Sequence, residues 1–384
     1  MIYFDNSATT RPYKEVMDSF VKVSNDYFAN PSSLHKLGGQ AEGLLNQARN
    51  QIAELLNIKK REIYFTSGGT ESNNLAIKGS AMMYKNRGNH IITTTIEHAS
   101  IRESVEQLKK NGFEVTYLPV NSEGRINIDD LKDAIREETI LVSIIHVNNE
   151  VGTIQPIKEI GHLLKKYPKI LFHVDHVQGI SKVSLDFHDC GIDFCSMSAH
   201  KFHGLKGNGI LFIREGIKIS PLLTGGNQEW QTRSGTENVA GIVAMSKALR
   251  LSLIRMEQDL VNLMGIKDFI LEEFKKENEI IINTPVENSA PHIINFSIKG
   301  FKAEVFVHAL EESNIFVSTT SACSSKIKSV SQTLLGMGVD EEIAKSAIRL
   351  SLSFENTHEE ARKVVHAIKK TIQQLGKVMK TNEI

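Results

Sequence analysis

Short apolar blocks alternate with amphipathic stripes over the first half of this chain. Leu37, Ala41, Leu44, Leu45, Ala48, Ile52, Leu55 and Leu56 recur on one helical face, which predicts a long amphipathic helix. Seven strand-like runs follow: 63–66, 90–95, 114–118, 141–145, 170–174, 193–197 and 209–213. Helical stripes lie between most of them, for instance Ile101, Val105 and Leu108, or Ile160, Leu163 and Leu164. Short apolar strands alternating with helices predict a mostly parallel sheet covered on both faces, an α/β fold. In such a sheet the ligand site lies beyond the carboxyl ends of the strands.

The pattern changes near Val239. A long helical stretch carries Val243, Ala248, Leu249, Leu253, Leu263 and Ile270. Beyond it come strand-like runs at 293–298, 315–317 and 347–351, a helix around Val305 and Phe306, and a last helix opening at Thr357-His358-Glu359-Glu360. That opening has the spacing of a capping box. The tail therefore reads as a smaller α+β domain.

Composition narrows the class. Forty-five acidic side chains balance forty-five basic ones, so overall charge gives no reason to expect a nucleic-acid or membrane surface. Three cysteines, Cys190, Cys195 and Cys323, are too few for a disulfide framework and fit a reducing compartment. The start, Met1-Ile2-Tyr3-Phe4-Asp5-Asn6, lacks the pattern of a signal peptide, and no apolar run has the length of a membrane span. A soluble cytoplasmic protein is the expectation.

Three polar clusters sit just past strand ends. Ser67-Gly68-Gly69-Thr70-Glu71 precedes a helix. Its glycines let backbone amides approach an anion, and the helix start favours negative charge, although the same residues make an ordinary turn and cap. His173-Val174-Asp175 ends a buried strand, where an acid requires a positive partner. A protonated pyridine nitrogen is such a partner, and that pairing marks bound pyridoxal phosphate; a helix cap is the plainer use of Asp175. Gln178, one helical turn on, is placed to donate to the ring oxygen. The third cluster, Ser198-Ala199-His200-Lys201, lies between two apolar strands. Schiff-base chemistry is one of the few roles that lysine alone fills. Ser198 and His200 are candidates for a phosphate, and His98 for stacking on the ring. A metal-dependent hydrolase built on His173, Asp175, His176 and His200 is the competing use of the same residues.

Cys323 sits in a small polar run beside Lys326 and Lys328, a setting that favours thiolate. Cys190 and Cys195, in apolar surroundings, read as small hydrophobes. Arg349 lies inside an apolar strand and calls for a buried anion. A substrate carboxylate held bidentately and a structural salt bridge both satisfy that need.

In chain order, Phe4–Thr10, Phe28–Ser33, Thr66–Asn74, His146–Gly152, His173–Asp175, His200-Lys201, Arg233–Asn238, Ser321–Ser324 and Ile348–Ser351 resemble the NifS/IscS-like cysteine desulfurases. These form a branch of the class V aminotransferase family of fold-type I pyridoxal-phosphate enzymes. The resemblance implies a large cofactor-binding domain at 14–250 with a mostly parallel seven-stranded sheet. It implies a small α+β domain formed by 1–13 and 251–384, bearing the cysteine loop. It further implies that Lys201 holds pyridoxal 5'-phosphate covalently, that Asp175 pairs with the pyridinium, Gln178 with the ring oxygen, and that His98 stacks on the ring. Gly69, Thr70, Ser198 and His200 would bind phosphate, joined by Thr236 from the neighbouring subunit of a homodimer. Asn149, beside the cofactor, and Arg349 would hold the carboxylate of L-cysteine. Cys323 would take the sulfur as a persulfide and pass it to an acceptor protein, an Fe–S scaffold or a tRNA-thiolation enzyme. No metal, membrane or direct nucleic-acid partner is implied. Ala199, Leu205, His176 and Thr319-Thr320 depart from the usual pattern without removing a catalytic group. Selenocysteine lyase chemistry fits the same residues.

Overall fold

The computed structural model describes residues 1–319 and 330–381. The chain opens with β1 (Ile2–Tyr3), α1 (Lys14–Asp26) and α2 (Lys36–Leu56). A βα alternation follows: β2 (Ile63–Thr66), α3 (Gly69–Tyr84), β3 (His90–Thr94), α4 (Ala99–Lys110), β4 (Glu114–Leu118), α5 (Ile128–Ala134), β5 (Thr139–Ile145), α6 (Ile157–Leu164), β6 (Leu171–Asp175), β7 (Phe194–Ser198) and β8 (Gly209–Ile213). After these come α7 (Val239–Phe274), β9 (Ile280–Ile282), β10 (Ile293–Ile298), α8 (Ala303–Glu311), β11 (Ile315–Phe316), β12 (Ser318–Thr319), α9 (Gln332–Gly336), α10 (Glu341–Lys345), β13 (Ala347–Ser351) and α11 (His358–Thr381).

The seven predicted strands form one seven-stranded sheet in the order β2-β8-β7-β6-β5-β3-β4. Only β8 runs against the others. All residues of β3, β5, β6, β7 and β8 are buried, which is why they read as continuous apolar runs rather than alternating ones. β4, at the edge, is half exposed. Cys190 and Cys195 are both buried, as expected for small hydrophobes.

A second, four-stranded antiparallel sheet has the order β12-β13-β10-β9. The sequence reading omitted β9, a three-residue edge strand too short to show a period. The capping box of α11 is present: Thr357 N donates to Glu360 Oε2 at 3.0 Å and Glu360 N to Thr357 Oγ1 at 3.1 Å. The 36-residue α7 serves both cores. Its Ala248 and Leu249 pack in the core of the large sheet, while Leu263, Ile266, Ile270 and Phe274 pack against the small one. The first residues cross in the opposite direction. Phe4 belongs to the second core and Tyr13 to the first. The connecting residues 5–12 therefore pass over the ends of the large sheet's strands. Among the described residues no helix is long and apolar enough to cross a membrane.

Candidate active site

Because the loops after β2, β3, β5, β6 and β7 leave from one edge of the sheet, their polar residues meet there. A cleft of about 610 Å³ opens at that edge. Gly69, Thr70, His98, Asn149, Asp175, Gln178, Ser198, His200, Lys201 and Arg349 all line it. Thr236 does not; it lines a separate depression with Leu223, Gly225 and Ser234. Cys323 lies outside the described residues.

Asp175 is the last residue of β6, buried at 3% exposure. Its carboxylate is held on both oxygens: Val177 N donates to Oδ1 at 3.0 Å and Asn73 Nδ2 to Oδ2 at 2.8 Å. The first contact closes a local turn, and no helix follows for Asp175 to cap. Residues 177–182 are turns rather than a helix, so Gln178 reaches the cleft by a turn and not by a helical repeat. Its amide donates to Ser7 O at 2.9 Å.

Asn73, on the second turn of α3, also donates to Ser100 Oγ at 2.9 Å. Ser100 Oγ in turn lies 2.8 Å from His98 Nδ1. A carboxylate only accepts, so the Asn73 nitrogen must face Asp175. The Ser100 amide donates to His98 Nδ1 at 3.2 Å, which leaves the imidazole proton on Nε2. Burial holds the His98 pKa below its ordinary value; Asp175 opposes that shift, and Lys201 and Arg102 add to it. A neutral ring is the form suited to lie against a cationic pyridine.

Lys201 follows β7 on a short 3-10 turn, Ala199–Lys201. Its Nζ donates to Ser7 O and, at 2.9 Å, to Ala8 O. The N-terminal strand-crossing segment thus enters the site itself. Thr9 Oγ1 lies 3.2 Å from His200 Nδ1, and Thr10 Oγ1 donates to His200 O at 3.0 Å. Burial, with Lys201 and Lys206 nearby, lowers the His200 pKa to about 4, so this ring is also neutral near pH 7.

Arg349, on β13, brings the small sheet to the cleft. Its Nη1 donates to Asn149 O at 2.8 Å and its Nη2 to Asp5 Oδ1 at 3.0 Å. The guanidinium is buried at 4% side-chain exposure. The salt bridge anticipated as one alternative is therefore present, with Asp5 as its acid. Arg349 Nε has no partner among the described residues.

The start of α3 faces the same cleft. Its first amides have no intrahelical acceptor and carry the positive end of the helix dipole. A Cβ on Gly69 would lie 2.8 Å from Val177 Cγ2. Only glycine lets the helix start approach the Asp175 turn this closely.

The histidines do not assemble a metal centre. His173 lies between Ser143 Oγ at 2.8 Å and Ser196 Oγ at 3.0 Å. His176 pairs with His146, Nδ1 to Nδ1 at 2.8 Å. Among the described residues no group of three or more His, Cys, Asp or Glu is arranged to hold a metal.

Sequence reasoning missed Asp5, Ser7, Asn73, Glu97 and Ser100. Glu97 adjoins His98 and is 6% exposed. Its Oε1 accepts from Thr94 Oγ1 at 2.7 Å and from Ile145 N at 3.0 Å, tying the end of β3 to that of β5. An acid followed by a histidine just past a buried strand was the available signal. Ser100 had none, since polar helix residues are ordinary, and Asn73 stood only within the Thr66–Asn74 motif, with no role assigned.

Comparison with known proteins agrees with this geometry. The chain matches the Aminotransferase class-V family over residues 2–364. It is 47% identical over 380 residues to a NifS/IcsS protein homolog of Lactobacillus delbrueckii subsp. bulgaricus, covering 98% of this chain and 99% of that protein. It is 44% identical over 376 residues to the cysteine desulfurase IscS of Clostridium botulinum, covering 97% and 94% of the two chains. Among solved structures, a NifS-like protein superposes with a TM-score of 0.91 at 37% identity, over 98% of this chain and 99% of that one. This chain belongs to the class-V aminotransferase family and, within it, to the NifS/IscS-like cysteine desulfurases.

Proposed function

We propose that this protein is a cysteine desulfurase: it removes sulfur from L-cysteine, releases L-alanine, and carries the sulfur as a persulfide on Cys323. One observation carries the reading. A lysine amine, a doubly held carboxylate and a buried guanidinium converge on one cleft, in a chain whose relatives include proteins named cysteine desulfurase IscS.

The family depends on pyridoxal phosphate, and these residues fit it. Asp175 suits a pyridinium nitrogen, the Gly69 cradle and the first amides of α3 suit a phosphate, and Lys201 suits the carbonyl carbon. Ser7 Oγ and Asn73 Oδ1 are buried atoms without a partner at the same place among the described residues. When bound, the cofactor would supply an electron sink for the reacting carbons of an amino acid.

The protein's own groups supply the rest. His98 covers the ring in its neutral form. Thr70, Ser198 and His200 hold phosphate with hydroxyl and imidazole donors, joined by Thr236 of a second subunit. Asn149 and Arg349 orient the substrate carboxylate. Cys323, as thiolate, attacks the substrate sulfur. An S–S bond forms as the Cβ–S bond breaks, and the electron pair left on carbon takes a proton before L-alanine leaves. The persulfide then passes to an acceptor protein, such as an Fe–S scaffold or a tRNA-thiolation enzyme.

Cys323→Ala tests this directly. It is expected to keep the visible absorbance of the bound cofactor while forming neither persulfide nor alanine. Lys201→Ala is expected to lose the covalently bound chromophore. Full alanine formation by Cys323→Ala would refute the sulfur-accepting role.

A further inference from the structure

The substrate's carboxylate does not approach a vacant guanidinium. Arg349 is already paired, and its acid comes from the N-terminal segment rather than from its own sheet neighbours. Nη2 donates to Asp5 Oδ1 at 3.0 Å, and Nη1 to Asn149 O at 2.8 Å. A guanidinium has two edges that grip a carboxylate with parallel hydrogen bonds, Nε with Nη2 and Nη1 with Nη2. Asp5 takes one of the two hydrogens on Nη2, the nitrogen common to both edges, and Asn149 O takes one of the two on Nη1. Of the N–H groups left over, the one on Nε is buried and without a partner among the described residues.

The placement of Asp5 is not incidental. Two bonds from the neighbouring amides fix it against β13: Asn6 N donates to the backbone Ser351 O at 3.2 Å, and Ser7 N to the Ser351 side-chain Oγ at 2.8 Å. The acid's side chain is 19% exposed and the arginine's 4%. It is therefore a largely desolvated pair at the wall of the cleft, where charge–charge attraction is much stronger than in water.

We propose that Asp5 is an internal counter-ion that the substrate carboxylate competes with at Arg349, and that it sets the enzyme's affinity for amino-acid carboxylates. The proposal rests on Arg349 as the carboxylate site of a cysteine desulfurase. With Asp5 in place the guanidinium is held in orientation while no substrate is bound, and an entering carboxylate gains only the difference between its own pairing and that of Asp5. Affinity for every amino acid bearing a carboxylate is thereby reduced. A ligand without a carboxylate is unaffected.

The same segment reaches the other end of the site. Ser7 O accepts from both Gln178 and Lys201, and Ala8 O from Lys201. Asp5 is thus two residues from the carbonyl that holds the amine of Lys201. A competing carboxylate at Arg349 therefore acts on a segment that also touches the lysine.

The test uses the holoenzyme and its Asp5→Asn variant, which keeps the size and one hydrogen-bond acceptor but removes the charge. L-Cysteine turnover and the cofactor's absorbance change are measured with L-cysteine, with L-alanine, and with cysteamine, which has the amine and thiol but no carboxylate. The expected result is a KM for L-cysteine and a Kd for L-alanine lowered about threefold or more, with the Kd for cysteamine unchanged. Unchanged or weaker L-alanine binding by a correctly loaded Asp5→Asn enzyme overturns the proposal. So does an equal change for cysteamine. Arg349→Ala run in parallel separates the two readings: it must weaken L-alanine and leave cysteamine alone. If it does not, Arg349 is not the carboxylate site, whatever Asp5→Asn shows. Should Asp5→Asn fail to load cofactor, Asp5→Glu is measured against the same three ligands. A longer acid in the same pairing must retain the discrimination against cysteamine seen in the parent enzyme, and its loss overturns the proposal.

Discussion

Asn73 donates one amide to two acceptors, Asp175 Oδ2 at 2.8 Å and Ser100 Oγ at 2.9 Å, and so links the cleft's acid to its neutral histidine. Neither end of this relay is close to the other in sequence. Asn73 lies on α3, Asp175 on β6 and His98 at the cap of α4. A hydrogen bond to a charged acceptor contributes about 1.5–3 kcal/mol. Loss of this one would free Asp175 to turn and would leave its second oxygen without a donor.

Asn73→Ala is accordingly expected to weaken cofactor retention by about tenfold or more, since about 1.4 kcal/mol is a factor of ten. Equilibrium dialysis followed by absorbance of the retained cofactor measures it. Retention equal to the parent would mean that the Val177 amide alone holds Asp175 in place.

Glu97 gives stability a pH dependence. Burial pushes its pKa from 4.5 up to about 8; the nearby Asp175 adds to the rise, and the Thr94 hydroxyl and Ile145 amide oppose it. In the folded protein the group stays protonated between those two values, while in the unfolded chain it ionises. The unfolded state therefore binds fewer protons in this window, and stability falls as pH rises through it, by at most about 1.4 kcal/mol per pH unit. Below pH 4.5 the contribution vanishes. Glu97→Gln is expected to be as stable as the parent in acid and progressively more stable than it towards pH 8. Urea midpoints at pH 5, 6, 7 and 8 provide the comparison. The buried histidines act through their own protonation below their ordinary value of 6.5 in both proteins, so they cancel in the difference. Parallel curves for the two proteins would show that Glu97 ionises within the fold.

Glu229 grips Arg49 with both oxygens, at 2.6 and 3.0 Å, and accepts from Phe65 N at 3.0 Å. The arginine lies over the rings of Phe65 and Trp230. Glu229, Trp230 and Gln231 all have positive φ, from 46° to 64°, a costly run for residues other than glycine. The buried pair holds that turn in place. Glu229→Ala is expected to destabilise the protein by about 3–5 kcal/mol, because it leaves Arg49 charged and unpaired. The Arg49→Ala, Glu229→Ala double variant should lose less than the sum of the single losses. Chemical denaturation of the four proteins tests this, and strict additivity would refute the coupling.

The sequence alone determined the large sheet. Its central strands are buried on both faces, so continuous apolar runs and helical stripes mark them directly; that β8 runs antiparallel to β7 and β2 came only from the structure. Because the strand ends gather loops at one edge, the candidates at 69–70, 98, 175, 198–201 and 349 were also legible, as polar residues placed just past or within apolar runs. Three further things required tertiary structure. Side-chain partners across distant elements, such as Asn73 with Asp175 and Asp5 with Arg349, carry no periodic signal, because hydrogen bonds depend on angstrom-scale placement rather than on pattern. The histidine-rich stretch looked capable of binding a metal until the fold aimed His173 at two serines and His176 at His146. The N-terminal residues 5–10 stood in the sequence only as part of the Phe4–Thr10 motif, with no role assigned to them. Only the packing of Phe4 in one core and Tyr13 in the other stretches them across the site, where their carbonyls and their one acid meet the lysine and the arginine.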